Sequence, residues 1–65
     1  MKVINDSISD KSLTHRLVVT DVDEDVVEEL CFDRLVALYP SATISCLDID
    51  SDDNIYYLTF LVEER

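Results

Sequence analysis

Carboxylates are the side chains numerous enough in this chain to do chemistry. Fifteen acids stand against five bases in 65 residues, a formal net charge of −10. Most fall into two clusters, Asp21-Val22-Asp23-Glu24-Asp25 and Asp48-Ile49-Asp50-Ser51-Asp52-Asp53. On a helix, Asp25, Glu29 and Asp33 recur at i, i+4 and i+8 and make one acidic ridge. Four helical residues rise about 6 Å, and phosphates along one nucleic-acid strand are spaced on the order of 6–7 Å. Carboxylates at that pitch can occupy sites that a basic protein offers to phosphates, with its Arg and Lys donating charge-assisted hydrogen bonds. Asp50, Asp52 and Asp53 extend the same negative field, and Phe32 and Tyr39 are aromatic anchors of the kind that carry interface energy. The plainer alternative is a solvated helix face and an acidic loop that serve solubility.

The run Asp48-x-Asp50-x-Asp52-x-Asn54-Ile55 resembles the first part of a calcium-binding EF-hand loop, with oxygen ligands at positions 1, 3, 5 and 7. It departs at position 6, where Asp53 stands for the usual Gly, and at position 12, where Thr59 stands for the bidentate Glu. An acidic hairpin turn accounts for the same residues, so Asp48, Asp50, Asp52 and Asn54 are a weak cation candidate. Nucleophilic catalysis has one pairing to offer, Cys31 with His15, the single histidine. Cys31 falls on the apolar side of the expected helix, where burial suppresses a thiol's reactivity. A domain this small also has little room for a pocket of roughly 300 Å³ or more. The two cysteines form no CxxC and find no Cys/His set for zinc, and whether they bridge is open. No catalytic residue, cofactor or structural metal is expected.

The absence of glycine removes every Gly-dependent phosphate cradle and leaves Asn and Asp to supply positive φ in turns. The net charge excludes direct binding to DNA, RNA or an anionic membrane by electrostatics alone. An apolar fraction of 48% argues for a folded chain rather than a disordered acidic one. The first residues carry no apolar signal segment and no stretch is long enough to span a bilayer, so a cytoplasmic location is expected.

The elements that position these residues follow from periodicity. Leu13–Thr20 alternates as a strand, with Leu13, His15, Leu17 and Val19 facing inward. Residues 24–38 read as a helix. Asp21…Glu24 and Asp25…Glu28 fit capping-box spacing, and Pro40 ends the segment. Val27, Cys31, Leu35 and Leu38 make its apolar stripe. Ala42–Ile49 is a strand whose phase shifts near Cys46-Leu47, the mark of a β-bulge. Residues 50–54 form a turn, and Ile55–Val62 a strand apolar on both faces. Met1–Ile4 is either a short strand or loop, and Asn5–Lys11 reads as turn or loop.

The outline is a single α+β domain, β-α-β-β with room for an extra short N-terminal strand, a mainly antiparallel sheet and one helix on one face. The leading functional expectation is a non-enzymatic binding protein that docks an acidic face onto a basic, nucleic-acid-binding surface of a partner protein. In size and charge, though not in any motif, this is similar to the acidic proteins by which phages and mobile elements antagonise restriction and CRISPR systems. The alternatives are a dimeric adaptor using apolar surfaces such as Phe32, Val36 and Tyr39 on the helix or Tyr57 and Leu61 on the last strand, and a weak calcium-binding module. Monomer and homodimer are equally compatible with the sequence.

Overall fold

A computed structural model describes residues 1–9 and 13–64. Its elements run β1 (Lys2–Ser9), β2 (Thr14–Thr20), α1 (Glu24–Leu38), β3 (Ala42–Asp52) and β4 (Ile55–Glu64). The strands form one sheet in the order β1-β2-β4-β3, antiparallel at every pairing, with the helix on one face. This is the expected α+β class. The N-terminal strand is present and twice the expected length. Asn5–Ser9, read from sequence as turn or loop, continues the ladder against β2 after a bulge between Val3 and Asn5. Asp10 and Lys11, the end of that expected loop, lie outside the described residues.

The core sits between α1 and the inner face of the two central strands. Val27, Cys31 and Leu35 from the helix meet Leu17 and Val19 of β2 and Leu58 and Phe60 of β4, all buried. Val62 is buried as well. Leu38, expected to continue the stripe, is 51% exposed, because the chain leaves the helix at Tyr39. The helix start also differs from expectation. Asp23 is the N-cap and accepts the Val26 and Val27 N–H groups on its carbonyl, both at 3.1 Å, without a side-chain cap bond. Asp21 sits earlier in a left-handed turn, and Asp25 is already in the first helical turn, so neither capping box forms. Glu24 and Asp25 still complement the positive end of the helix dipole.

β4 is central but covered on one side only. Among the described residues no second layer covers its outer residues Ile55, Tyr57, Thr59 and Leu61, and Tyr57 is 38% exposed. The expected bulge in β3 is present: Cys46 pairs with Phe60 and Asp48 with Thr59, leaving Leu47 as the extra residue. Before it Ile44 and Cys46 share the inner phase. After it Ile49 takes the inner phase, opposite Leu58, and Asp48, Asp50 and Asp52 turn outward. Without the extra residue these aspartates would face the core. The strand therefore continues to Asp52, where sequence suggested a turn from residue 50, and the loop shrinks to Asp53-Asn54.

In a chain without glycine, positive φ falls on Asp21 (57°), Asp53 (56°) and Leu13 (54°). The aspartates follow the expectation; Leu13 does not, and it lies before β2 and exposed rather than inward. Its backbone holds it there, donating to the Ser9 carbonyl and accepting from the Val62 N–H, both at 2.9 Å. Asp53 is the first residue of a two-residue hairpin loop, a position where glycine removes the Cβ penalty. Asp53→Gly is expected to raise stability by about 1 kcal/mol, read as a higher midpoint in urea unfolding with an unchanged slope.

Candidate functional site

The N-terminal half of α1 and the outer end of β3 stand apart and leave a groove of about 740 Å³. The sequence suggested little room for a concavity of this size; it opens because the outer end of β3 is not covered by the helix. One wall carries Glu24, Asp25, Glu28 and Glu29, with Phe32 at its end. Ile49 and Tyr56 supply apolar surface with the buried Val27 and Phe60 behind them, and Cys46, Asp50 and Ser51 belong to the β3 side. No Lys or Arg is among the lining residues. Asp50 belongs by register to the outer phase and reaches the groove at the strand edge.

The groove gathers Asp25, Glu29, Phe32 and Asp50 from the residues singled out by sequence. It leaves out Asp33, which lines a separate concavity with Leu30, Arg34, Ala37 and Leu38. The cause is geometric: positions four apart on a helix drift by about 40° per step. After two steps the ridge has turned away from the flank that begins at Asp25. Glu24 and Glu28, absent from the sequence-based set, lie nearer the sheet. The available signal was their place beside the apolar stripe, Glu28 directly following the buried Val27. Asp52 and Asp53 stand exposed at the hairpin end, outside the groove lining.

Tyr39 is not a free anchor. It packs against the core, and its hydroxyl lies 3.4 Å from His15 Nδ1 with the two rings edge to face. His15 is buried on the inner face of β2, with Nε2 against the Asp6 carboxylate. Arg34 of the helix reaches the same carboxylate, Nη2 to Oδ2 at 3.0 Å. Asp6 thus ties β1, β2 and α1 together. Burial by itself would raise its carboxyl, but the hydrogen bonds and charges of His15 and Arg34 outweigh that and hold it below its ordinary value.

The Cys31–His15 pairing is replaced by these contacts. Cys31 Sγ lies 3.9 Å from Met1 Sδ, and burial pushes its thiol up to about 11, where it is protonated at neutral pH. Cys46 is also free, and its thiol is raised by burial and by the Glu28 charge. The EF-hand-like run folds as a strand and a tight turn. Side chains two apart on a strand are spaced by roughly 6.6 Å, too far for Asp48, Asp50 and Asp52 to share an ion through ligands at about 2.3–2.6 Å. The Asn54 carbonyl instead accepts the Thr20 hydroxyl at 2.8 Å. Among the described residues no group of three His, Cys, Asp or Glu side chains is arranged to hold a metal.

Asp6→Ala leaves the buried His15 without its carboxylate and is expected to destabilise the protein by about 1–3 kcal/mol at pH 7. Arg34→Ala, on the exposed side of the same carboxylate, should cost under about 1 kcal/mol. Because the folded-state pKa of Asp6 is depressed, its stabilisation is present above the unfolded value of roughly 3.9 and disappears as pH falls through the folded value. Urea titrations of wild type and Asp6→Ala should therefore converge in acid. No protein-family model, curated protein or solved structure matches this chain.

Proposed function

We propose that the protein is a non-enzymatic binding protein that docks its acidic groove onto a basic surface of another protein. The observation that carries this reading is the groove wall: Glu24, Asp25, Glu28 and Glu29 over an apolar floor, with no base among the lining residues. Solubility needs charge somewhere on the surface, not gathered on one flank. The pairs Glu24/Glu28 and Asp25/Glu29 are like charges at i, i+4, each working against the helix by about 0.2–0.5 kcal/mol. A cationic partner turns that repulsion into attraction, and Phe32 adds apolar contact area inside the same groove. Where the partner's surface ordinarily holds nucleic acid, occupation by carboxylates is competitive inhibition. Nucleic acid itself and anionic membranes are repelled, and no helix among the described residues is long and apolar enough to cross a membrane.

A second reading rests on a different surface. Tyr57 and Leu61 of β4 and Val18 of β2 lie on the outer sheet face, which no layer covers among the described residues, an arrangement that also suits a dimeric adaptor. Salt separates the two, since screening acts over about 10 Å at 0.1 M and about 3 Å at 1 M, whereas apolar docking is not weakened by added salt.

The test is capture of partners from the cell's own lysate, eluted by a salt gradient, with wild type beside the variant Glu24→Gln/Asp25→Asn/Glu28→Gln/Glu29→Gln. A partner retained at low salt and released at moderate salt is expected. The variant should bind it at least about tenfold more weakly, a loss of roughly 1.4 kcal/mol. Relief of like-charge repulsion offsets the helix-dipole interaction lost at Glu24 and Asp25, so the variant should melt close to the wild-type midpoint, and weakened binding at an unchanged melt is not unfolding. Unchanged affinity and an unchanged salt response would remove the acidic-groove reading.

A further inference from the structure

We infer that the groove takes its basic partner as an added strand: an extended Lys/Arg-rich segment pairs along Asp48–Asp52 of β3 and lays alternate side chains between β3 and the helix. This deepens the docking reading above and rests on it. β3 is the end of the sheet, with no strand beyond it among the described residues. Past the bulge, Asp48 to Asp52 pairs regularly with Thr59 to Ile55 on its inner side and is exposed throughout. The Ser51 N–H donates to the Asp50 carboxylate at 2.8 Å, an acceptor that an incoming main-chain carbonyl can replace. Main-chain pairing of this kind supplies affinity without demanding a folded partner.

The pitch of the two walls agrees. Alternate residues of an added strand are roughly 6.6 Å apart, and Glu24/Glu28 or Asp25/Glu29 about 6 Å apart along the helix. Lys or Arg in one phase therefore meets successive helix carboxylates, with its methylene stem over Phe32 and Ile49. The opposite phase meets Asp48, Asp50 and Asp52 on the outer side. The same aspartates select the occupant. A second copy paired through this edge would set them against their own counterparts, the arrangement by which sheets resist edge-to-edge association. A basic segment has the opposite sign in both phases.

The experiment is fluorescence anisotropy at low salt with a labelled extended peptide that carries Lys in both alternating phases. The comparison peptide has the same charge and N-methyl groups on alternate backbone nitrogens, which remove the donors of one edge. The parent peptide should bind, and methylation should weaken it at least about tenfold, the effect of losing a few main-chain hydrogen bonds. The charge-neutralised groove variant should bind the parent more weakly. Equal binding of both peptides would overturn strand addition while leaving electrostatic docking standing. Absence of binding by the parent peptide, beside salt-sensitive capture of a folded partner, would do the same. A dimer in sedimentation that must dissociate before the peptide binds would identify a second copy as the occupant and overturn the proposal.

Discussion

One helix cannot cover one face of a four-stranded sheet. A helix with its side chains is about 10–12 Å across, while the outer strands of such a sheet are roughly 14 Å apart axis to axis, before their side chains are counted. Here the apolar stripe of α1, Val27, Cys31 and Leu35, meets Leu17, Val19, Leu58 and Phe60 of the central strands, and the helix also approaches β3. Everything else on that face depends on how the two flanks are treated. The β1 flank is closed by polar contacts, Asp6 with His15 and Arg34, and Tyr39 over the imidazole. The β3 flank is left open beside the acidic helix wall. The outer face of the sheet carries no covering element among the described residues.

That geometry also explains why charge gathers as it does. The core is small, and each buried Val, Leu or Phe contributes roughly 1.5–3 kcal/mol against the large entropy of ordering the chain. The remaining sheet and helix surface then has to be kept hydrated. Asp48, Asp50 and Asp52 do this for the β3 edge, and the bulge at Leu47 is what turns them outward. The helix acids are different in kind. Those of the first turn gain from the dipole, but Glu28 and Glu29 lie beyond it and gain only repulsion from the residues four before them. Their effect on the isolated protein is to reduce its stability.

Most of the fold was legible in the sequence, and of the residues it singled out for docking, Asp25, Glu29, Phe32 and Asp50 line the groove. Residues 24–38 were legible as the helix because acids open it, one apolar stripe runs along it and proline follows it. The β3 bulge was legible because the alternation changes phase at Cys46-Leu47. Asn5–Ser9 was not, since Asn, Asp and Ser are weak strand formers. The strand forms there because Asp6 finds partners on two other elements, 9 and 28 residues away in sequence. The end of β3 was missed for a related reason: an edge strand accepts the aspartates that a central strand would exclude. Leu13 took a conformation meant for glycine because its two backbone bonds outweighed its side chain. In the site, the spacing rule found Asp25 and Glu29 but carried the ridge on to Asp33. A row of constant spacing spirals around a helix, while a groove wall does not.

Binding and folding are linked through the same charges. A ligand that attaches only to the folded state stabilises it by mass action, whatever the contacts. A cationic ligand in this groove does more, because it also cancels the repulsion within Glu24/Glu28 and Asp25/Glu29. Part of its binding free energy is therefore the relief of strain that the free protein carries. The four-residue rows that weaken the helix in isolation are the ones whose pitch suits a basic partner. In a chain with so small a core, that places the proposed docking surface and the like-charge rows of the helix on the same flank.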